Sequence, residues 1–126
     1  MIEKRTRRIC CISHNKGRRH DFRIFLESKI CLPLETAVIV DSGYQGLQKK
    51  HVKTEMPKKR SKKNPLSQDD KKKNRAISSQ RILCENIIGM LKRFKIIAER
   101  YRNRRRRFGL RFFLISAIYN TELSYI

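Results

Sequence analysis

Hydrophobic positions fall in short blocks divided by polar, strongly cationic stretches. Residues 8–13 (RICCIS) are apolar enough at their centre to predict a short strand, and the NKGRRH stretch after them a polar loop. Over 21–30 (DFRIFLESKI), Phe22, Phe25, Leu26 and Ile30 recur at helical spacing, with Asp21 placed to cap the helix and Pro33 beyond its end. Residues 36–40 (TAVIV) are β-branched and continuously apolar, as in a strand buried on both faces of a parallel sheet. Strand, helix, strand within 35 residues is a βαβ pattern, for which a right-handed crossover is expected. Gly43 and Gly46 in DSGYQG let the chain turn sharply after that strand. A helical turn over 44–50 and a strand over 51–55 are expected next.

Ser67 and Asp70 form a capping-box-like start, and Asp69 and Asp70 suit the positive end of a helix dipole. The helical pattern runs from about 68 to 98. This is far above the ~11–12-residue average, so the helix should bridge or break near Gly89. Ile77, Cys84, Ile87, Ile88 and Leu91 form its apolar band. A basic link (100–107) precedes a last helix near 107–121, which carries Phe108, Leu110, Phe112, Phe113, Ile115, Ile118 and Tyr119.

Charge changes the picture most. The 126 residues hold 32 Lys and Arg against 11 Asp and Glu, a net charge of +21. Such self-repulsion is relieved by a polyanion, which makes a nucleic acid the default partner. No stretch approaches the ~20 apolar residues of a membrane span, and the N-terminus has no apolar core of a secretory signal. A cytoplasmic protein, nucleoid-associated when bound to DNA, is expected. Cys10, Cys11, Cys31 and Cys84 form no C-x-x-C pair and, with His14, His20 and His51, no zinc-finger spacing. They are read as buried, reduced thiols. The basic runs lie at 58–63, 71–73 and 100–107. Lys58, Lys59, Arg60, Arg104, Arg105, Arg106 and Arg107 are candidate DNA contacts, and the Pro-flanked loop 57–66 should stay mobile until an anion binds.

One helical stripe carries candidate chemistry. Asn74, Ser78, Arg81, Glu85, Gly89 and Lys92 are spaced 4, 3, 4, 4 and 3, so all six share a face. On spacing alone, an ordinary amphipathic helix with i, i+4 ion pairs is the favoured explanation. A metal-binding carboxylate flanked by phosphate-binding cations is the functional alternative, and it requires a second carboxylate. Asp41 is the candidate, because ligand sites in α/β folds lie beyond the carboxyl ends of strands.

VIVDSGYQG, the preceding GRRHDFRIFLES and the later NRAISSQRILCENIIGMLKRFKIIAERYRNRRRRFGLRFFLISAIYNTEL together resemble the C-terminal half of a bacterial insertion-sequence transposase. The group is the DDE type, in the branch related to PIF/Harbinger elements. The resemblance covers about residues 16–123, with three motifs in the right order. It implies an α/β, RNase H-like fold, here incomplete, with a few-stranded sheet, a long helix bearing the last catalytic acid, and a C-terminal helix. Asp41 matches the middle acid, and Arg81, Glu85 and Lys92 match an Arg-x₃-Glu-x₆-Lys pattern holding the last. Ser78 stands where related families carry a Tyr, so no Tyr role transfers.

The family's first acid precedes the His-Asp pair, yet only Glu3 lies upstream here. The chain therefore reads as a single partial domain (1–126), truncated or split from its upstream part. The family implies a two-ion Mg²⁺ site, metal-dependent DNA cleavage and strand transfer. In that picture Asp41 and Glu85 bind metal, and Arg81 and Lys92 hold DNA phosphates, Arg81 alternatively orienting Glu85. The fragment alone is expected to bind DNA without cutting it, and to partner the missing N-terminal part or a second copy. Lacking its first strands, the sheet should expose an edge, with strand 8–13 forming that edge or lying next to it. A small structural RNA-binding protein of ribosomal type fits the same charge and size.

Overall fold

The longest helix begins where the sequence places its cap. The Ser67 hydroxyl accepts the Asp70 N–H at 3.1 Å, and the Asp70 carboxylate accepts the Ser67 N–H at 3.2 Å. This reciprocal box satisfies two N–H groups that the helix start would otherwise leave bare. The computed structural model describes residues 1–15, 18–99 and 107–125. Helices α1 (Asp21–Glu27), α2 (Leu47–Lys50), α3 (Gln68–Lys92), α4 (Lys95–Ala98) and α5 (Phe108–Glu122) accompany strands β1 (Val38–Ile39) and β2 (Thr54–Glu55). The architecture is mixed α/β with a two-stranded parallel sheet. The chain divides into two compact units, Gly17–Ile82 and Met1–Lys16 with Leu83–Ile126.

In the first unit, β1 and β2 pair in parallel with Val38 opposite Thr54 and Ile39 opposite Glu55. The Val38 N–H donates to Lys53 and the Val40 N–H to Glu55. Parallel strands need a crossover, supplied here by a 3₁₀ turn (Ser42–Tyr44) and α2. Both strands are shorter than the sequence pattern suggests, and Val38 and Ile39 are half-buried instead of covered on both faces. The unit's buried anchors are Leu47 and His51. The His51 Nε2–H donates to the Thr36 carbonyl at 2.6 Å, and the Thr54 hydroxyl to the His51 carbonyl at 2.7 Å. A histidine that the sequence marks only as a non-ligand thus pins the approach to β1.

Helix α1 starts one residue earlier in its cap than expected. His20 is the N-cap and Asp21 lies in the first turn. It stops at Glu27 instead of 30, because Lys29 adopts a left-handed φ of 51° and the Ser28 hydroxyl donates to Phe25 O at 2.6 Å. Arg19 and Arg23 both pair with Glu27 on its exposed side. The basic loop 57–66 also departs from expectation, since it is tied to α3. The Lys58 N–H donates to Asn74 Oδ1 and Asn74 Nδ2 donates to the Lys58 carbonyl, each at 2.9 Å. The Lys58 ammonium meets Asp70 at 2.7 Å.

In the second unit, Ile87, Leu91, Ile115 and Tyr119 form the buried core, with Ile2, Ile9, Leu83, Phe94, Ile97, Phe112 and Leu123 packed around it. Helix α3 runs unbroken through Gly89 and ends at Lys92, where Phe94 turns to an extended backbone before α4. The expected single helix to 98 is therefore two. Residues 8–13 do not join β1 in a βαβ unit. Ile9 bridges Ile2 in antiparallel fashion, and its N–H and C=O are taken by the Asn120 side-chain amide at 2.9 Å each. That amide occupies the place of a neighbouring strand, so the edge expected to stand open at Ile9 is partly closed. The Tyr119 hydroxyl donates to Arg7 O at 3.3 Å, and burial raises its pKa despite the nearby Arg7 charge. Arg93 pairs with Glu122.

Helix α5 is apolar on every side. Its inner face is buried, but Leu110, Phe113 and Leu114 are exposed. The cysteines are free as expected, yet Cys10 and Cys31 are exposed and Cys11 and Cys84 only half-buried. Arg104, Arg105, Arg106 and most of the basic link lie outside the described residues. Among the described residues no helix is long and apolar enough to cross a membrane.

Two outcomes follow from this packing. Leu91→Ala should cost ~2–5 kcal/mol, the range for truncating a buried Leu, because Leu91 is 3% exposed. Ile88→Ala should cost much less, since Ile88 is 44% exposed on the same helix. Urea unfolding midpoints check both, and equal losses would contradict the assigned face. Asp70's carboxyl is held below its usual range, first by the Lys58 hydrogen bond and then by the Ser67 N–H. A depressed acid stabilises fully above its unfolded value, 3.8, and loses that contribution as pH falls through the folded value. Asp70→Asn should therefore lower the unfolding midpoint at neutral pH, and the gap to the parent chain should close below about pH 4.

Candidate functional site

Asp41 stands at the carboxyl end of β1 because Val40 still pairs with β2 and the chain then turns at once. Asp41 is the N-cap of the 3₁₀ turn. Its Oδ1 accepts the Ser42 N–H at 2.6 Å, and its carbonyl accepts the Tyr44 N–H at 3.0 Å. The turn needs both of its glycines. Gly46 has φ 106°, a conformation that disfavours any other residue, and a Cβ there would meet the Phe22 ring at 2.8 Å. A Cβ on Gly43 would lie 2.8 Å from the Asp21 carboxylate.

The Asp41 carboxylate faces Arg81 of α3 in a two-pronged ion pair. Arg81 Nη1 donates to Oδ1 at 3.3 Å and Nη2 lies 3.2 Å from Oδ2. The two side chains are 50% and 30% exposed. At that exposure the pair is worth ~0.2–1 kcal/mol, so its main effect is orientation. The forked guanidinium fixes the carboxylate plane as a lysine would not. A sequence-predicted acid and a sequence-predicted cation, forty positions apart, are thus brought together.

The turn after Asp41 also carries a phenol. Tyr44 packs edge-on against Phe25 with ring centroids 6.4 Å apart. Its pKa is raised, first by burial and then by the negative charges of Asp21 and Asp41. Asp21, expected merely as a helix cap, therefore lies beside the turn that carries Asp41. The close passage of Gly43 over Asp21 is signalled in the sequence only by the glycine itself.

The remaining candidates are placed as follows. Glu85 and Lys92 are exposed on α3, in the second compact unit, and Lys92 is the helix's last residue. Ser78 is exposed and Asn74 half-buried. Lys58 is engaged by Asp70, whereas Lys59 and Arg60 are exposed. Arg107 is exposed at the N-cap of α5. Among the described residues no three His, Cys, Asp or Glu side chains gather as a metal-binding group. With both Asp41 oxygens turned to Arg81, these residues do not by themselves make a metal site.

Comparison with known proteins adds to this geometry. The family described as "DDE superfamily endonuclease" matches residues 2–120. A probable transposase for insertion sequence element IS702, from Microchaete diplosiphon, is 44% identical over 124 residues. The match takes in 98% of this chain and 45% of that relative, so the chain spans under half of the relative's length. No solved structure matches the chain.

The Tyr44 environment gives a direct check on the turn. Asp41→Asn removes one of the charges that disfavour the phenolate, so the Tyr44 titration should move down toward its ordinary value of 10.0. Burial stays in place, so the return should be partial. Ultraviolet absorbance against pH reads this shift, and an unchanged Tyr44 titration would separate Asp41 from the phenol.

Proposed function

Because the chain belongs to the DDE superfamily endonucleases, we propose that it is the C-terminal part of an insertion-sequence transposase with an RNase H-like catalytic domain. The complete domain cuts DNA and transfers strands. Asp41 is its middle acid and Glu85 its last acid, and a third carboxylate comes from the upstream part that this chain does not contain. DDE endonucleases generally work with divalent metal ions, and Mg²⁺ suits a site of carboxylate oxygens. Its partners are DNA and either that upstream part or a second copy, and its compartment is the cytoplasm.

The observation that carries this reading is the fork between Asp41 and Arg81. It orients the carboxylate that follows β1 by means of the arginine of the Arg-x₃-Glu-x₆-Lys pattern. Arg81 thereby acts as the positioning residue for Asp41, more directly than for Glu85 or a phosphate. Lys92, two turns beyond Glu85 and exposed, is left for a DNA phosphate. A structural RNA binder of ribosomal type has no use for a carboxylate oriented in this way, and the family match favours the endonuclease.

The isolated chain should not nick supercoiled plasmid in the presence of Mg²⁺. Nicking that Glu85→Gln abolishes would overturn that expectation. A chimera carrying the upstream part of the IS702 relative should gain Mg²⁺-dependent cleavage of element-end DNA. Asp41→Asn and Glu85→Gln should each remove the activity, and a chimera that stays active with either would refute the assignment. The isolated chain should bind duplex DNA regardless. If six to ten cations meet phosphates, affinity should fall ~10³–10⁵-fold between about 50 and 200 mM salt, as a gel-shift series reads. A response without salt dependence contradicts phosphate binding.

A further inference from the structure

We propose that the 57–66 loop is a preorganised phosphate-binding arm for duplex DNA, latched to α3 by Asn74, with Lys58 as its anchor instead of a contact. The proposal rests on the reading of the chain as part of a DNA-acting protein. It goes beyond it by naming a surface remote in sequence from both candidate acids, and the residue that sets its shape.

A solvated basic loop has no need of a fixed backbone, yet this one is held at three points. The Asn74 amide clasps both the N–H and the C=O of Lys58. The Lys58 ammonium is consumed by Asp70, which also closes the α3 cap. Nearer the tip, the Ser61 N–H donates to the Asn64 carbonyl at 3.3 Å and the Asn64 N–H to the Ser61 hydroxyl at 3.0 Å. These bonds order a segment crowded with like charges, an arrangement that costs free energy without an anion to meet it.

What the arm presents is nearly all cation. Asp69 and Asp70 are the only acids between Pro57 and Gln80. Lys59, Arg60, Lys62 and Lys63 on the loop are exposed, as are Lys71, Lys72, Lys73 and Arg75 on the first turns of α3. None of the eight has an ion pair among the described residues. Arg60 of the loop and Lys71 of α3 line one open recess of about 300 Å³, together with Pro65 and Leu66. A loop cation and a helix cation lining one recess, with further exposed cations following each in sequence, suit a polyphosphate strand. Holding them beforehand removes part of the ordering cost of binding.

Asn74 is uncharged, so it separates shape from charge. The test uses the full 126-residue chain and a short duplex of arbitrary sequence, titrated with salt. Asn74→Ala should weaken binding about 2–10-fold, the scale of re-ordering one or two side chains, without altering the salt slope. It should also speed tryptic cleavage within 59–63, and duplex should protect the same bonds in the parent chain. A variant with Lys59, Arg60, Lys62 and Lys63 all changed to Ser leaves every latch intact. It should lower the log–log salt slope by about 0.9 for each phosphate that no longer meets a cation. If the parent chain binds with a normal slope and the four-serine variant matches it, the arm does not touch DNA and this proposal fails while the transposase reading stands. Parent-like affinity in Asn74→Ala despite faster cleavage overturns it likewise. If the parent chain shows no binding even at low salt, both readings fall.

Discussion

Helix α3 is held over its first four turns by directional polar bonds, because it has little else to hold it. Between Gln68 and Ile82 only Ala76, Ile77 and Ile82 are apolar, and Ile82 is exposed. The Ser67–Asp70 box, the Asn74 clasp on Lys58 and the Arg81 fork on Asp41 take the place of a buried stripe. Each is weak alone, and a helix of 25 residues whose packing begins only near Leu83 depends on their spacing along it. These bonds also dictate what α3 can present. Asn74 and Arg81, two of six residues on one stripe, turn inward to grip loops, which leaves Ser78, Glu85 and Lys92 to the solvent.

That division of labour ties the candidate chemistry to the fold. The turn after β1 must be tight for Asp41 to meet Arg81, and the tightness comes from Gly43 passing over Asp21 and from Gly46 in its left-handed conformation. Burial, joined by the charges of Asp21 and Asp41, raises the Tyr44 pKa at the same turn. A carboxylate in a chain of charge +21 is easily neutralised by any mobile lysine. A single planar guanidinium fixed on a helix gives it a defined partner and orientation instead.

Much of this is legible from residue types at their spacings. The capping box, the two glycines of the turn, the strands near 36–40 and 51–55 and the last helix all follow from local rules, whereas the pairing of those two strands with each other does not. Asp41 and Arg81 stand out in the sequence, although their pairing with each other does not. What local rules miss has non-local causes. The stretch 8–13 has the composition of a sheet strand, but its backbone partners are Ile2 and an asparagine 111 positions away. No propensity encodes that distance. The early end of α1 rests on one lysine in a left-handed conformation, and lysine carries no signal for it. The loop 57–66 reads as mobile because its charges dominate any composition argument, while the amide that orders it is a single residue sixteen positions on.

Asn74 and Asn120 are the same device used twice. In each case a carboxamide on a helix gives and receives one hydrogen bond with a single residue of a passing segment, as the opposed residue of an antiparallel strand would. Neither amide is ionised, so counter-ions do not shield these joints. Brine strong enough to screen the surface lysines leaves both fasteners as they were. These two joints therefore differ in kind from the Lys58–Asp70 and Arg81–Asp41 pairs beside them, which salt does weaken.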